Sequence, residues 1–184
     1  YIGDVGNNVS RAKLLMRWVF QVAEPDPLAK VPRRGDQQAI QKLKVAKAFG
    51  YTFPAEPFDC EAMFFFKGGL HLISKVAKGQ QTKLYRLDLT RANQTVPLVE
   101  ICVLRDVHTV TGADFDGQTL AASSYKQAAR FTLPAGKPIK ALGEQTPRVL
   151  SHASTAIEGC ALDGTRLILV SESRRVFAWE FNPQ

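Results

Sequence analysis

The sequence predicts an all-β protein, a β-propeller of four-stranded antiparallel blades, on three observations. First, three stretches repeat one pattern: CEAMFFFKGGLHLISKVAKGQQTKLYRLDL from Cys60, TGADFDGQTLAASSYKQAARFTLP from Thr111 and IEGCALDGTRLILVSESRRVFAWEF from Ile157. Each carries an acid, a short apolar stretch, a Gly-containing turn, a strand ending in a small hydroxyl residue, a second turn and another strand. Second, the acids Glu61, Asp114 and Glu158 recur about every 50 residues, close to the spacing of propeller blades. Third, every apolar stretch is short, as blade strands are.

At 184 residues and 45% hydrophobic, the chain can form about four blades. Tyr1-Ile2-Gly3 already reads as strand, so the expected parent is a propeller of roughly five to six blades, with this chain its C-terminal part. A complete small β domain is the alternative. As one domain it divides into a partial blade plus loop (1–57), two blades (58–106 and 107–150) and a last blade (151–184).

Taken in order, Leu14–Ala23 is β-rich and partly alternating, and reads as a strand. Glu24-Pro25-Asp26-Pro27 ends it, because prolines remove backbone donors. The stretch to Asp36 is polar and Pro/Gly-marked, a surface loop. Ile40–Phe53 alternates early and runs into Tyr51-Thr52-Phe53 and then Pro54, which favours an outer strand over the helix that its Gln, Lys, Leu and Ala would also allow.

The first repeat then gives strands at Glu61–Phe66, Leu70–Val76, Leu84–Leu89 and Leu98–Arg105. The second gives Val107–Phe115, Thr119–Tyr125, Ala128–Leu133 and a fourth at Ile139–Leu142. The third gives Ala156–Leu162, Arg166–Ser171 and Val176–Phe181, with the closing strand expected from the N-terminal part of the parent. Phe131 and Trp179 fall at equivalent third-strand positions and read as packing between blades. Phe64-Phe65-Phe66 reads as core.

No apolar run approaches the length needed to cross a bilayer. The net charge is +7, but the cations are scattered, with modest clusters at Lys42/Lys44/Lys47 and Arg174/Arg175. No basic run is interleaved with aromatics, which argues against nucleic acid as a partner. A basic surface still suits docking on an acidic partner or membrane surface. The three cysteines, Cys60, Cys102 and Cys160, form no CxxC pair and so no structural zinc signature. They read as buried thiols, with a disulfide between two of them left open.

Propellers gather the entries of their innermost strands around one axis. Asp59, Glu61, Asp114 and Glu158 fall at such entries, and Asp4 in GDVGNN, with Asn7 and Asn8, matches them in an earlier blade. Converging carboxylates repel, so either their pKa values rise or a cation neutralises them. Their hard oxygens suit Ca²⁺, or otherwise Mg²⁺ or Mn²⁺. The competing reading is that each acid bonds backbone N–H groups in a turn, as Asp116-Gly117 and Asp163-Gly164 do by hairpin chemistry. A second equivalent set, Lys75, Tyr125 and Glu172 in ISK, SSY and SES, puts a cation, a phenol and a carboxylate at one structural position. That set could bind a substrate or do acid–base work. His71, His108 and His152 have no ligand spacing, though His108 directly precedes the Thr111–Asp114 segment and could approach the channel with it.

The strings GDVGNN, FDCEAM, TGADFDG followed by SSY, and IEGCALDG followed by SES resemble a large group of poorly characterised bacterial β-propeller proteins. Those show Gly-Asp-Ile-Gly-Asp-Asn, Asp-Ala-Glu-Ala-Leu, Thr-Gly-Ala-Asp and late Gly-Glu-Ala segments. They are similar to phytase-like and gluconolactonase-like calcium propellers, several of which hydrolyse phosphate esters or lactones. The resemblance spans Tyr1 to Phe181. It implies a periplasmic or extracellular protein with Ca²⁺ held by Asp4, Asp59, Glu61, Asp114 and Glu158, and with Lys75, Tyr125 and Glu172 behind them. The chain departs from the pattern in Asn7, where an acid is common, and in Cys60 inside the Asp-x-Glu segment. The expected function is ligand binding or metal-dependent, hydrolase-like chemistry. The alternative is a non-catalytic scaffold or accessory subunit that meets a protein partner through rim loops such as Glu24–Asp36.

Overall fold

The computed structural model describes residues 1–7, 15–24, 43–152 and 156–180. Asn8, Leu14, the 25–36 part of the expected rim loop, the 40–42 start of the third expected strand and Phe181 lie outside them.

In chain order the strands are β1 (Ile2–Asp4), β2 (Met16–Val22), β3 (Val45–Thr52), β4 (Asp59–Phe66), β5 (Gly69–Lys75), β6 (Thr82–Asp88), β7 (Thr95–Pro97) and β8 (Val99–Leu104). There follow β9 (Val110–Phe115), β10 (Thr119–Ser124), β11 (Gln127–Thr132), β12 (Arg148–Ser151), β13 (Ile157–Asp163), β14 (Arg166–Ser171) and β15 (Val176–Glu180). They make four sheets, ordered β1-β2-β3-β7, β4-β5-β6-β8, β9-β10-β11-β12 and β13-β14-β15. The chain is thus all-β, and among the described residues every strand pairing but one is antiparallel.

Two elements differ from the sequence reading. Ile139–Leu142 is expected as a strand, but Ile139–Glu144 is a 3₁₀ helix that buries Ala141 and Leu142. The fourth strand of that sheet is β12, which pairs with β11 from Gln127↔Ser151 to Arg130↔Arg148. Pro138 just before the segment and Gly143 within it favour a tight helical turn over an extended run. The second difference is β7, a three-residue strand that the sequence does not announce. It leaves the second sheet and pairs in parallel with β3 of the first, from Gly50↔Thr95 to Thr52↔Pro97.

Strand alternation explains the core. In β5, Leu70 and Leu72 join Val19, Phe49 and Leu87 between the first and second sheets. From the opposite face of the same strand, Ile73 joins Ala62, Leu84, Leu120 and Phe131 between the second and third. A central strand buried on both faces loses the polar alternation of a half-exposed one. A third cluster, Ala121, Ala128, Ile157, Leu167 and Leu169, seals the third sheet against the fourth. Each fully buried Leu among them contributes about 1.5–3 kcal/mol. Phe131 and Trp179 do occupy equivalent positions, opposite Leu120 and Leu167. The Phe triplet divides by the same alternation: Phe64 is buried, while Phe65 faces out and stacks on Tyr1 at 5.9 Å.

Candidate functional site

The inner strands β4, β9 and β13 pack side by side, with β9 in the middle. Each carries a β-bulge at the same point, where one residue has no cross-strand partner: Glu61 in β4, Thr111 in β9 and Glu158 in β13. The residue before each bulge (Cys60, Val110, Ile157) pairs with a serine, Ser74, Ser124 or Ser171. The residue after each serine is Lys75, Tyr125 or Glu172. The second set read from the sequence is therefore a true structural set. The first set needs one revision, because Thr111 and not Asp114 stands level with Glu61 and Glu158. Asp114 lies three residues further along β9. Bulges re-aim a side chain out of the pleat, and in β4 this brings Glu61 to the strand-end Lys75.

Lys75 sits at the centre of the resulting cluster. Its Nζ lies 2.5 Å from Glu61 Oε2 and donates to Tyr125 Oη at 2.8 Å. The ammonium is 5.0 Å from the Tyr125 ring centroid. Being much closer to the hydroxyl, it lies beyond the ring edge, so the contact is a hydrogen bond rather than a cation over the π face. Desolvation pulls the Lys75 ammonium down, but the hydrogen bonds to Glu61 and Tyr125 outweigh it and the net shift is upward. Glu158 moves up as well, first through desolvation and then through repulsion from Glu61 and Glu172, against a lowering pull from Lys75. Glu61, Glu158, Glu172 and Lys75 thus share one electrostatic environment, with three carboxylates to one ammonium. Thr111 contributes no charge; its hydroxyl donates to Ile157 O at 2.6 Å and ties β9 to β13.

The remaining acids have other work. Asp59 Oδ1 accepts from Asn7 N at 2.6 Å and Cys60 N at 3.0 Å, tying the first sheet to the second. Asp114 accepts from Phe115 N through one oxygen and from Leu162 N through the other, both at 2.8 Å, tying the third sheet to the fourth. Asp4 is exposed and lies 3.9 Å from Arg17, whose guanidinium donates to Asn7 Oδ1 at 2.9 Å. The five acids are therefore not one set. Two are filled by backbone amides and a third by an ammonium. Among the described residues no group of three or more His, Cys, Asp or Glu side chains is placed to hold a metal ion. As they stand, these residues do not fit a calcium cage.

All three cysteines are free thiols. Burial pushes Cys60 up to about 12, and Cys102 and Cys160 up to about 11, so none is poised as a nucleophile. His71 is a core residue, stacked on Phe64 at 5.1 Å. Desolvation, then the Arg86 charge, lowers it to about 4. His108 and His152, by contrast, line an open cleft of about 550 Å³ together with Lys78, Thr109, Tyr125 and Lys126. Apart from Tyr125, and His108 with its expected approach to the channel, the sequence reading misses this cleft. It misses Thr111 because it aligns the repeats on their acids. Alignment on the ISK, SSY and SES triplets finds it.

The described residues define a class: an all-β chain of successive three- and four-stranded sheets, with a polar cluster where three bulged inner strands meet. No family model matches the chain, and no curated protein matches it. Among solved structures, the computationally designed Ika4 protein aligns at 8% identity over 72% of this chain and 97% of that one, with a TM-score of 0.39. The computationally designed Ika8 protein aligns at 12% identity over 73% of this chain and 52% of that one, also at 0.39. Saccharomyces cerevisiae Sqt1 aligns at 15% identity over 68% and 32%, again at 0.39. The chain spans only part of the latter two, and likenesses this distant do not bear on the site.

Proposed function

We propose that the chain is a β-propeller, or part of one, that binds a small cationic or polyhydroxylated ligand at the cluster of Glu61, Lys75, Tyr125, Glu158 and Glu172. One observation carries this reading: the three chemically different residues at the repeated strand-end position stand beside two glutamates delivered by equivalent bulges. A position that served only packing would repeat one chemistry. The cluster offers one ammonium, one phenol and three carboxylates, a convergent set of donors and acceptors with an acidic excess. Export and the hydrolysis of phosphate esters or lactones rest on the motif resemblance alone, and calcium on that resemblance and the expected convergence of the acids. The geometry favours binding over metal-dependent hydrolysis, because Lys75 already neutralises Glu61. The scaffold alternative draws on the Glu24–Asp36 loop, nearly all of it outside the described residues.

The test is calorimetric titration of the full chain with spermidine, gluconolactone and calcium, beside a Glu61→Gln/Glu158→Gln variant. Saturable binding of the amine or the lactone, weakened by about tenfold or more in the variant, is the expected result. Calcium binding that the variant abolishes would replace this reading with the metal-dependent one. No heat with any of the three would sink both and favour the scaffold.

A further inference from the structure

The cleft beside the cluster has the opposite electrostatic character. Its walls come from four places: Lys78 after β5, His108 and Thr109 before β9, Tyr125 and Lys126 in the β10–β11 turn, and Ser151 and His152 at the end of β12. Among the described residues no carboxylate lines it. The adjoining hollow of about 430 Å³ shares Lys78 and His108 and adds a single acid, Asp106. The walls are held by backbone hydrogen bonds, Thr109 N to Val76 O at 2.8 Å and His152 N to Lys126 O at 3.1 Å. Thr109 is held at φ 52°, a left-handed conformation that β-branched residues rarely adopt. Ala156, at the equivalent place directly before β13, is left-handed as well at φ 58°, so this conformation belongs to the repeated frame that shapes the cleft wall.

We propose that this cleft is a second site, for a small anion carrying two or more carboxylate or phosphate groups, bound by Lys78 and Lys126 with His108, His152 and the Ser151 hydroxyl as further donors. The size is right, since small-molecule sites run to roughly 300–1,000 Å³. So is the chemistry: cations in a concave surface focus their field on an anion, and hydrogen bonds to ionised oxygens are the strong ones. Tyr125 marks the border, with its hydroxyl committed to Lys75 on the acidic side and its side chain forming part of the basic wall. The proposal does not depend on ligand binding at the acidic cluster.

The experiment is a ¹H–¹⁵N NMR titration of the full chain with citrate and with pyrophosphate, at constant ionic strength against sodium chloride. Saturable shifts of the Thr109, Lys126 and His152 amides are expected with at least one of the two anions, and which one binds tells carboxylate from phosphate. Lys78→Gln/Lys126→Gln should weaken binding by about tenfold or more, and Lys78→Arg/Lys126→Arg should keep it within about threefold. Both lysines are at the surface, so the fold should survive, as the spectra themselves will report. Glu61→Gln/Glu158→Gln should leave anion binding intact, which separates a failure here from a failure at the acidic cluster. Shifts that chloride reproduces, no saturation with either anion, or a Gln variant that binds like the parent would overturn the proposal.

Discussion

In the second sheet the bulge residue and the strand-end residue are Glu61 and Lys75, 2.5 Å apart. In the fourth sheet the same two positions hold Glu158 and Glu172, which repel each other. The backbone frames match, down to the bulge and the serine that faces the residue before it. One frame therefore carries a satisfied ion pair and the other an unsatisfied like-charge pair, and the third sheet, with Thr111 and Tyr125, carries no charge at either position. A repeat that keeps its backbone while diversifying one side-chain position separates the requirements of folding from those of recognition.

The sharpest way to break this contrast is Lys75→Glu, which turns the satisfied frame into a second repulsive one beside the first. Breaking a fully buried pair costs about 3–5 kcal/mol. Lys75 is mostly but not wholly covered, so a loss of about 2–3 kcal/mol is expected in urea unfolding at neutral pH. An unchanged midpoint would mean that solvent already screens the cluster. A smaller effect is expected from Gly112→Ala. A Cβ there would sit 2.8 Å from Gly159 Cα and 2.9 Å from Ser123 Oγ, where β9 approaches β13. Forcing those strands apart should cost about 1–2 kcal/mol and loosen the coupling between the two frames. If stability is unchanged, the close approach is not what sets their spacing.

The smallest effect is a gain. Glu172→Lys gives Glu158 the kind of cationic partner that Lys75 is to Glu61, and should add about 0.2–1 kcal/mol. Its signature lies in pH. Glu158 is raised above its ordinary value of 4.5, so the folded state binds its proton more tightly than the unfolded state does. That contribution is present in full below 4.5 and is lost as pH rises through the folded value. Melting curves across this window should show the loss in the parent and less of it in the variant; identical profiles would mean that desolvation and Glu61, not Glu172, set the shift.

Much of the fold is legible in the sequence because hairpin chemistry is local. Asp116-Gly117 forms the expected turn, with Asp116 accepting from Gln118 N and Thr119 N and Gly117 at φ 103°. The strands on either side follow from it. β7 is not legible, since its partner β3 lies more than 40 residues earlier and three residues carry no periodicity. At the site, Lys75, Tyr125 and Glu172 can be found because strand ends repeat by position. Asp114 is misplaced because an acid is the wrong marker for this repeat: the position level with Glu61 and Glu158 holds Thr111. Asp59 and Asp114 read as channel acids until the structure shows which amides they meet.

The short parallel strand also sets how the molecule would come apart. β7 departs from the end of β6 and returns into β8, so the second sheet holds it covalently at both ends while it hydrogen-bonds to the first. Separating those two sheets means breaking Gly50 N to Gln94 O, Asn93 N to Ala48 O and Leu98 N to Thr52 O, not merely parting side chains. The seam between the third and fourth sheets has no such stitch among the described residues and relies on packing, Asp114 and Thr111. The first two sheets would open as one cooperative unit and the fourth would peel first, an order that native-state hydrogen exchange reads directly.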